Sequence, residues 1–183
     1  MSGSETAARY GTTAIALHWI VALAVAAQIA LGWLMQEIPK VPIGPRVNAY
    51  NLHKSIGMSI LLLMVIRLAW RASHPPPALP SMPAWQVHAA RINHWLLYAC
   101  LFLQPLTGYL GSAVSGYPVR YFGMVLPAWA AKDEAMKDLL SNVHLVNSCV
   151  LVAAITTHVL AALKHHFIDG DGLLRRMWLR RAT

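Results

Sequence analysis

Four long apolar stretches alternate along the chain with polar, charged or proline-rich segments. Each stretch is long enough to predict a membrane-spanning helix, which needs about 20 largely apolar residues. The predicted spans are residues 12–35, 51–70, 90–114 and 139–167. The connectors EIPKVPIGPR and ASHPPPALPSMPAW are rich in proline, which does not continue a helix. The pattern predicts one all-α, integral membrane domain over residues 1–183, an up-down four-helix bundle.

Composition supports a membrane protein and argues against a nucleic-acid partner. Hydrophobic residues make up 57% of the chain and charged residues only 12%, whereas soluble domains contain about 25% charged residues. The net charge of +8 is not gathered on a soluble module, so no nucleic acid is expected. The two cysteines lie within predicted spans and form no C-x-x-C-H motif. The polar N-terminus lacks the features of a cleaved signal peptide, so we expect the first span to be retained.

The distribution of basic residues predicts the orientation. Four spans place both termini on one side of the membrane, and a Lys and Arg excess marks the cytoplasmic side. The side of the termini carries Arg9, Arg67, Arg71, Arg91, Lys164, Arg175, Arg176, Arg180 and Arg181. The other side carries Lys40, Arg46, Lys54, Arg120, Lys132 and Lys137. We therefore expect a multi-pass protein of the bacterial inner membrane, with both termini in the cytoplasm.

Four histidines lie inside the predicted spans and form two pairs by depth. His144 and His158 are fourteen residues apart in the last span, which puts them on nearly the same helix face and roughly 21 Å apart. His18 lies near the inner end of the first span and His53 near the outer end of the second. Depth therefore pairs His18 with His158 at the inner side and His53 with His144 at the outer side. Ionisable residues inside a membrane indicate a functional site.

Four explanations compete for these histidines. Each one alone could simply hydrogen-bond a neighbouring backbone carbonyl. A closed zinc site usually takes four protein ligands, and a proton-relay transporter would need Asp or Glu within the spans, which contain none outside their ends. Haem iron needs only two axial ligands from the protein. Two depth-matched pairs therefore favour two haems, one above the other.

Several motifs resemble those of a known family. They are ALHWIVALAV around His18, NLHKSIGMSILLLMVIRLAWR around His53, ARINHWLLYACLFLQPLTG in the third span, and VHLVNSCVLVAAITTHVLAALKHHF around His144 and His158. In combination, over roughly residues 9–176, they resemble the bacterial cytochrome b561 family of four-helix, di-haem b membrane proteins. The resemblance implies that the four histidines are axial ligands of two haem b groups.

The resemblance extends to a superoxide:ubiquinone oxidoreductase branch of that family. It implies an enzyme in which superoxide reduces the outer haem and electrons pass through the inner haem to ubiquinone. The alternative is an electron-relay subunit that exchanges electrons between a periplasmic redox protein and the quinone pool. A non-redox transporter or scaffold is a third possibility. No catalytic residue beyond the haem ligands is predicted.

Charged residues near the outer histidines suit an anionic substrate. Lys54 adjoins His53, and Lys40, Arg46, Arg120 and Lys132 could complete a positive rim that raises the association rate of a small anion. Alternatively, these are solvated loop charges or partners of lipid phosphates. The apolar and aromatic stretch 117–129 is expected in the membrane interface, where it could cover the outer haem or dock a partner.

Polar residues near the inner end suggest a quinone site. His165, His166, Arg91 and His94 gather at the inner ends of the third and fourth spans and could bind a quinone oxygen; interfacial snorkelling is the alternative. Arg67 and Arg71 could pair with haem propionates or anchor the helix at the cytoplasmic surface. Gly57, one turn after His53, could admit a planar group or serve close helix packing.

Overall fold

A computed structural model describes residues 9–78 and 82–178. Its four long helices are α1 (Thr12–Glu37), α2 (Ile43–Ser73), α3 (Ala84–Ala113) and α4 (Glu134–Lys164). Each is long and apolar enough to cross a membrane, which confirms the predicted all-α, four-helix membrane architecture. The N-terminal residues 1–8, residues 79–81 of the second connector, and the predicted cytoplasmic charges Arg180 and Arg181 lie outside the described residues.

The helices extend beyond the predicted spans, mostly at their N-terminal ends. α2, α3 and α4 begin eight, six and five residues earlier than expected, because apolar content marks only the part of a helix that lies in lipid. Pro42 and Pro83 precede the first turns of α2 and α3. Asp133 caps α4 by accepting a hydrogen bond from the backbone N–H of Met136 at 3.0 Å. Prolines before α2 and α3 and a polar cap on α4, rather than the apolar runs, thus mark these boundaries.

The last span ends differently from the expectation of an α-helix to residue 167. α4 stops at Lys164, and a π-helical turn covers His165–Asp169. Gly170 then reverses the chain with a φ of 64°. The following segment folds back beneath α1, where the indole N–H of Trp19 donates a hydrogen bond to the carbonyl of Met177 at 2.8 Å. We call this end, which holds both termini of the described chain, the inner end, and the opposite one the outer end.

Sequential helices pack side by side in an antiparallel arrangement. α3 packs on α4, α1 on α2, and α2 on α3, whereas the backbones of α1 and α4 scarcely approach each other. The small core joins Val21 and Val25 of α1 to Ile60 and Met64 of α2. Most other large apolar side chains are exposed on the outside of the bundle, as expected where lipid is the solvent.

The loop between α3 and α4 forms a β-hairpin, which the sequence did not predict. Strand β1 (Arg120–Tyr121) pairs with β2 (Met124–Val125) through a two-residue turn at Phe122 and Gly123, both with positive φ. The hairpin lies against α2: the backbone N–H of Phe122 donates a hydrogen bond to Ser55 Oγ at 2.8 Å, and Tyr121 bonds Ser59 at 3.1 Å. The amphipathic stretch therefore packs on the outer half of the bundle.

Candidate functional site

The outer pair of histidines faces a cavity. His53 on α2 and His144 on α4 have ring centroids 6.3 Å apart and an interplanar angle of 66°. Both line a cavity of about 490 Å³, which is within the range of roughly 300–1,000 Å³ typical of ligand sites. Its lining is mostly apolar, and its polar members are Gln28, Gln36, His53, Lys54, Gln104, Tyr109, Ser112, His144 and Ser148.

A hydroxyl on α3 orients the ring of His144. Thr107 Oγ1 lies 3.1 Å from His144 Nδ1 and donates its own proton to the carbonyls of Leu103 and Gln104, both at 2.9 Å. Because its only proton is committed to the backbone, the hydroxyl oxygen accepts a hydrogen bond from Nδ1–H. That tautomer leaves the Nε2 lone pair free for a metal. Thr107 was not singled out from the sequence; its only signal was a polar residue within an apolar span.

Two glycines let the outer histidine rings pack against neighbouring helices. A Cβ on Gly32 of α1 would lie 3.1 Å from His53 Cε1, and one on Gly108 of α3 would lie 3.2 Å from His144 Cε1. Both distances are tighter than ordinary van der Waals contact. The absence of a side chain on each neighbouring helix thus leaves room for the ring in its observed position. Gly57 has a different neighbour, because its added Cβ would meet Gln28 Nε2 at 3.3 Å.

Gln28 and His53 leave two polar atoms unpaired at the wall of the outer cavity. Gln28 Nε2 donates a hydrogen bond to the carbonyl of His53 at 2.6 Å. Gln28 Oε1 and His53 Nδ1 are buried without a hydrogen-bond partner among the described residues. Buried polar atoms are usually paired, so this part of the cavity wall suits a bound group that can form hydrogen bonds with these two atoms.

The inner pair has the same separation and a third histidine beside it. The ring centroids of His18 on α1 and His158 on α4 are 6.3 Å apart. His94 of α3 lies beside His158 at 5.4 Å. Arg67 Nη1 donates a hydrogen bond to His18 Nδ1 at 3.1 Å. The structure thus brings His94 and Arg67, two of the residues predicted from the sequence, directly to the inner pair.

A small inner pocket next to these rings is lined by two positively charged side chains. Arg67, Arg71 and Tyr98 all line it, and the guanidinium carbons of the two arginines lie 6.0 and 5.8 Å from the Tyr98 ring centroid. Within residues 9–78 and 82–178, neither arginine forms an ion pair with a carboxylate. The inner pocket therefore suits an anionic group that the chain itself does not supply.

The separation of each pair is compatible with one metal ion between the rings. With metal–nitrogen bonds of about 2 Å and each ring nitrogen roughly 1.1 Å from its centroid, two imidazoles on opposite sides of a metal have centroids roughly 6.2 Å apart. Both observed separations are 6.3 Å. The pairs lie toward opposite ends of one bundle, so two metal-centred groups could be stacked along its axis.

The positive rim predicted at the outer end is only partly available to an anion. Lys132 pairs with Glu134 at 2.8 Å, and this hydrogen bond raises its pKa. Arg46 donates to the carbonyl of Ile38 at 2.6 Å and covers the ring of Tyr50. Lys54 lines the outer cavity and forms no ion pair within the described chain. Lys54 is therefore the rim residue best placed to attract an anion.

The candidate quinone residues are divided between two places. His94 lies at the inner histidine pair, whereas His165 Nδ1 contacts Asp171 Oδ2 at 2.6 Å and Asp169 Oδ2 at 3.1 Å. His166 packs against Phe167. Arg91 is exposed and has no hydrogen bond or ion pair within the part of the chain that the structure describes. The carboxylate partners of His165 depend on the π-helical turn and the glycine reversal, which spacing alone did not indicate.

Comparison with known proteins identifies relatives along nearly the whole chain. Residues 9–180 match the family model described as prokaryotic cytochrome b561. The chain is 39% identical to "Cytochrome b561 homolog 2" of Escherichia coli K12, covering 97% of this chain and 95% of that protein. It is 32% identical to "Cytochrome b561 homolog 1" of the same organism, covering 94% and 98%. It is 29% identical to the "Probable superoxide oxidase CybB" of Yersinia pestis, covering 92% and 95%.

Proposed function

The chain belongs to the prokaryotic cytochrome b561 family, and we propose that it is a superoxide:ubiquinone oxidoreductase with two haem b groups. Family membership makes it a multi-pass bacterial membrane protein that binds haem b and transfers electrons. The proposal adds the number of haems, their ligands, the electron donor and the acceptor. It also includes an N-in, C-in orientation in the inner membrane, supported by the excess of basic residues at the end of the termini.

The two histidine pairs carry the proposal. His53 and His144 hold the outer haem, and His18 and His158 hold the inner haem. The equal centroid separations of 6.3 Å suit a flat group placed between the rings of each pair, and the separation of the α1 and α4 backbones suits it at the inner pair. The outer cavity provides a mostly apolar space for such a group, and Gly32 and Gly108 leave room for the two histidine rings beside it. When bound, haem b supplies a reversible one-electron couple tuned by its axial ligands and surroundings.

The second ring nitrogens of His144 and His18 have different partners, which matters for binding a metal. His144 already presents Nε2 because Thr107 holds Nδ1–H. Arg67 is a donor only, so its contact at 3.1 Å requires His18 Nδ1 to accept and puts the proton on Nε2. Ligation through Nε2 therefore requires Arg67 to leave Nδ1. The displaced guanidinium then becomes available to a carboxylate in the inner pocket.

Superoxide is the donor that the outer cavity favours. Lys54 brings one positive charge to a mostly apolar wall, and a cation in a low-dielectric cleft concentrates small anions. Two superoxide ions each give one electron and leave as O₂. The similarity to a relative named a probable superoxide oxidase supports this choice.

Ubiquinone accepts the electrons at the inner end. One ubiquinone takes two electrons and two protons to become ubiquinol, so the chain must bind its oxygens and deliver protons. His94 lies next to His158. His165 is paired with Asp171, an arrangement in which the carboxylate can orient the imidazole and help to return a proton to it. Arg91 adds a positive charge at the same end of the bundle.

A second candidate function is an electron relay with a periplasmic redox protein. The observation in its favour is the exposed aromatic surface at the outer end, where Trp129 is 58% and Tyr117 is 76% exposed. The Trp129 indole donates a hydrogen bond to Tyr109 at 2.9 Å, and Tyr109 lines the outer cavity. A partner docked on this surface would be close to the outer haem.

Anaerobic stopped-flow spectroscopy separates the two functions. The purified, oxidised protein is mixed with superoxide at several ionic strengths, and the haem absorbance is followed with and without a soluble ubiquinone. We expect second-order haem reduction that slows as salt increases, because screening weakens the attraction of the anion. Negligible or salt-independent reduction would reject superoxide as the donor and favour the relay. A protein without a reduced-haem spectrum would reject both.

A further inference from the structure

The hydroxyl group of Tyr98 is buried without a hydrogen-bond partner among the described residues. Tyr98 lies on α3 one turn after His94, and its ring packs against the core formed by α1 and α2. Phenolic hydroxyls buried in proteins nearly always find a partner. In a bundle surrounded by lipid, water is a poor substitute for that partner. The orphaned hydroxyl therefore points to a group that binds beside it.

The surroundings of Tyr98 define the chemistry of that group. The guanidinium groups of Arg67 and Arg71 lie at 6.0 and 5.8 Å from its ring, and all three side chains line the inner pocket. The arginines have donors only, and they lack carboxylate partners within residues 9–78 and 82–178. Three side chains with hydrogen-bond donors converge where the chain provides no anion, so the missing partner is an anionic acceptor.

We propose that Tyr98 donates a hydrogen bond to a propionate carboxylate of the inner haem, alongside Arg67 and Arg71. The inference rests on the proposed function, because it requires a haem between His18 and His158. Arg67 links the pocket to that haem site, since it contacts the ring of His18 at 3.1 Å. A carboxylate has two acceptor oxygens and matches the planar guanidinium fork, and the phenol can bond whichever oxygen faces it.

This hydrogen bond has an electrochemical consequence. A propionate near the iron stabilises the oxidised haem through its negative charge. A donor that withdraws part of this charge raises the midpoint potential of that haem. The phenol of Tyr98 should therefore make the inner haem easier to reduce, while the outer haem at the other end of the bundle is unaffected.

The test compares Tyr98→Phe with the wild-type protein and with Tyr50→Phe. The control removes a hydroxyl that bonds Gln36 at the outer end, away from the inner pocket. Each protein is reconstituted in nanodiscs of phosphatidylcholine, and both haem potentials are measured by spectroelectrochemical titration. We expect Tyr98→Phe to lower the inner potential only and Tyr50→Phe to leave the inner potential unchanged. Arg71→Gln, which removes a neighbouring positive charge and leaves the phenol, should shift the inner potential in the same direction.

The remaining outcomes overturn the proposal in distinguishable ways. An unchanged inner potential in Tyr98→Phe, with both haems present, would reject the role of Tyr98 and leave the proposed function standing. A shift that appears only when phosphatidylglycerol is added to the nanodiscs would assign the acceptor to a lipid phosphate and would also reject it. Wild-type protein with no haem, or with only the outer haem, would overturn this inference together with the proposed function.

Discussion

The hydroxyl oxygen of Thr107 lies 3.1 Å from Nδ1 of His144 and joins α3 to α4 at the wall of the outer cavity. A hydrogen bond to the second nitrogen of a ligating imidazole fixes its orientation and increases its basicity. Under the proposed function, the contact therefore links a residue in the middle of an apolar helix to the affinity and potential of the outer haem.

Replacing Thr107 by Val should weaken the outer haem selectively. Loss of such a partner typically costs roughly 10- to 100-fold in metal affinity, and a less basic imidazole should raise the outer haem potential. Haem content and potential after purification measure both effects. Thr157→Val is the matched control, because its hydroxyl only bonds the carbonyl of Ala153 at 2.9 Å. Equal behaviour of the two variants would remove Thr107 from the site.

Alanine at Gly32 or Gly108 should displace a histidine ring. The added Cβ would approach His53 or His144 to 3.1 or 3.2 Å, so the ring must move out of its position for the haem. Gly44→Ala is the control, since its Cβ would meet nothing within 4 Å. Glycine-to-alanine changes in a helix interior add roughly 0.5–1 kcal/mol to helix stability, so a loss of haem would reflect the contact with the histidine ring rather than helix propensity. Full outer haem content in both site variants would contradict the role assigned to Gly32 and Gly108.

Replacing Lys54 by Gln should slow the reaction with superoxide. Removal of the cation that lines the outer cavity should reduce the second-order rate at low salt roughly 3- to 10-fold and flatten its salt dependence. Lys132→Gln is the control, because Lys132 is already paired with Glu134. The role assigned to Lys54 fails if the two variants lose rate equally or if neither does.

Changes to the His165–Asp171 pair should impair quinone reduction without loss of haem. We expect His165→Gln and Asp171→Asn to slow the oxidation of pre-reduced haems by ubiquinone about 10-fold or more. Reduction by superoxide at the other end should be unchanged. Asp138→Asn, an exposed carboxylate at the outer end, is the control for a simple change of charge. Wild-type quinone kinetics in both variants would place the quinone elsewhere.

The apolar pattern sufficed to predict the helices and the depth of the histidines. Long apolar runs give the four spans, and the fourteen-residue spacing gives the shared face of His144 and His158. Both properties can be read from the order of residues along the chain, without knowing how the helices pack. The depth of each histidine also predicted which rings lie together in the structure, namely His18 with His158 and His53 with His144.

The remaining parts of the site depend on how each helix is rotated. A membrane helix is apolar on all sides, so its pattern does not reveal which face meets a neighbour. The contacts of Thr107, Gly108 and Tyr98 follow from the rotation of α3 and were not predicted. The β-hairpin and the π-helical turn at His165–Asp169 depend on tertiary contacts and local backbone geometry, which the apolar pattern does not contain.

The most direct test is haem analysis of the four single variants His18→Ala, His53→Ala, His144→Ala and His158→Ala, with the exposed His88→Ala as control. Haem per protein is measured by pyridine haemochrome assay, and the identity of the remaining haem by redox titration. The account predicts two haems in the wild type and control, loss of one haem in His53→Ala and His144→Ala, and loss of the other in His18→Ala and His158→Ala. Loss of the same haem from His53→Ala and His158→Ala would contradict it.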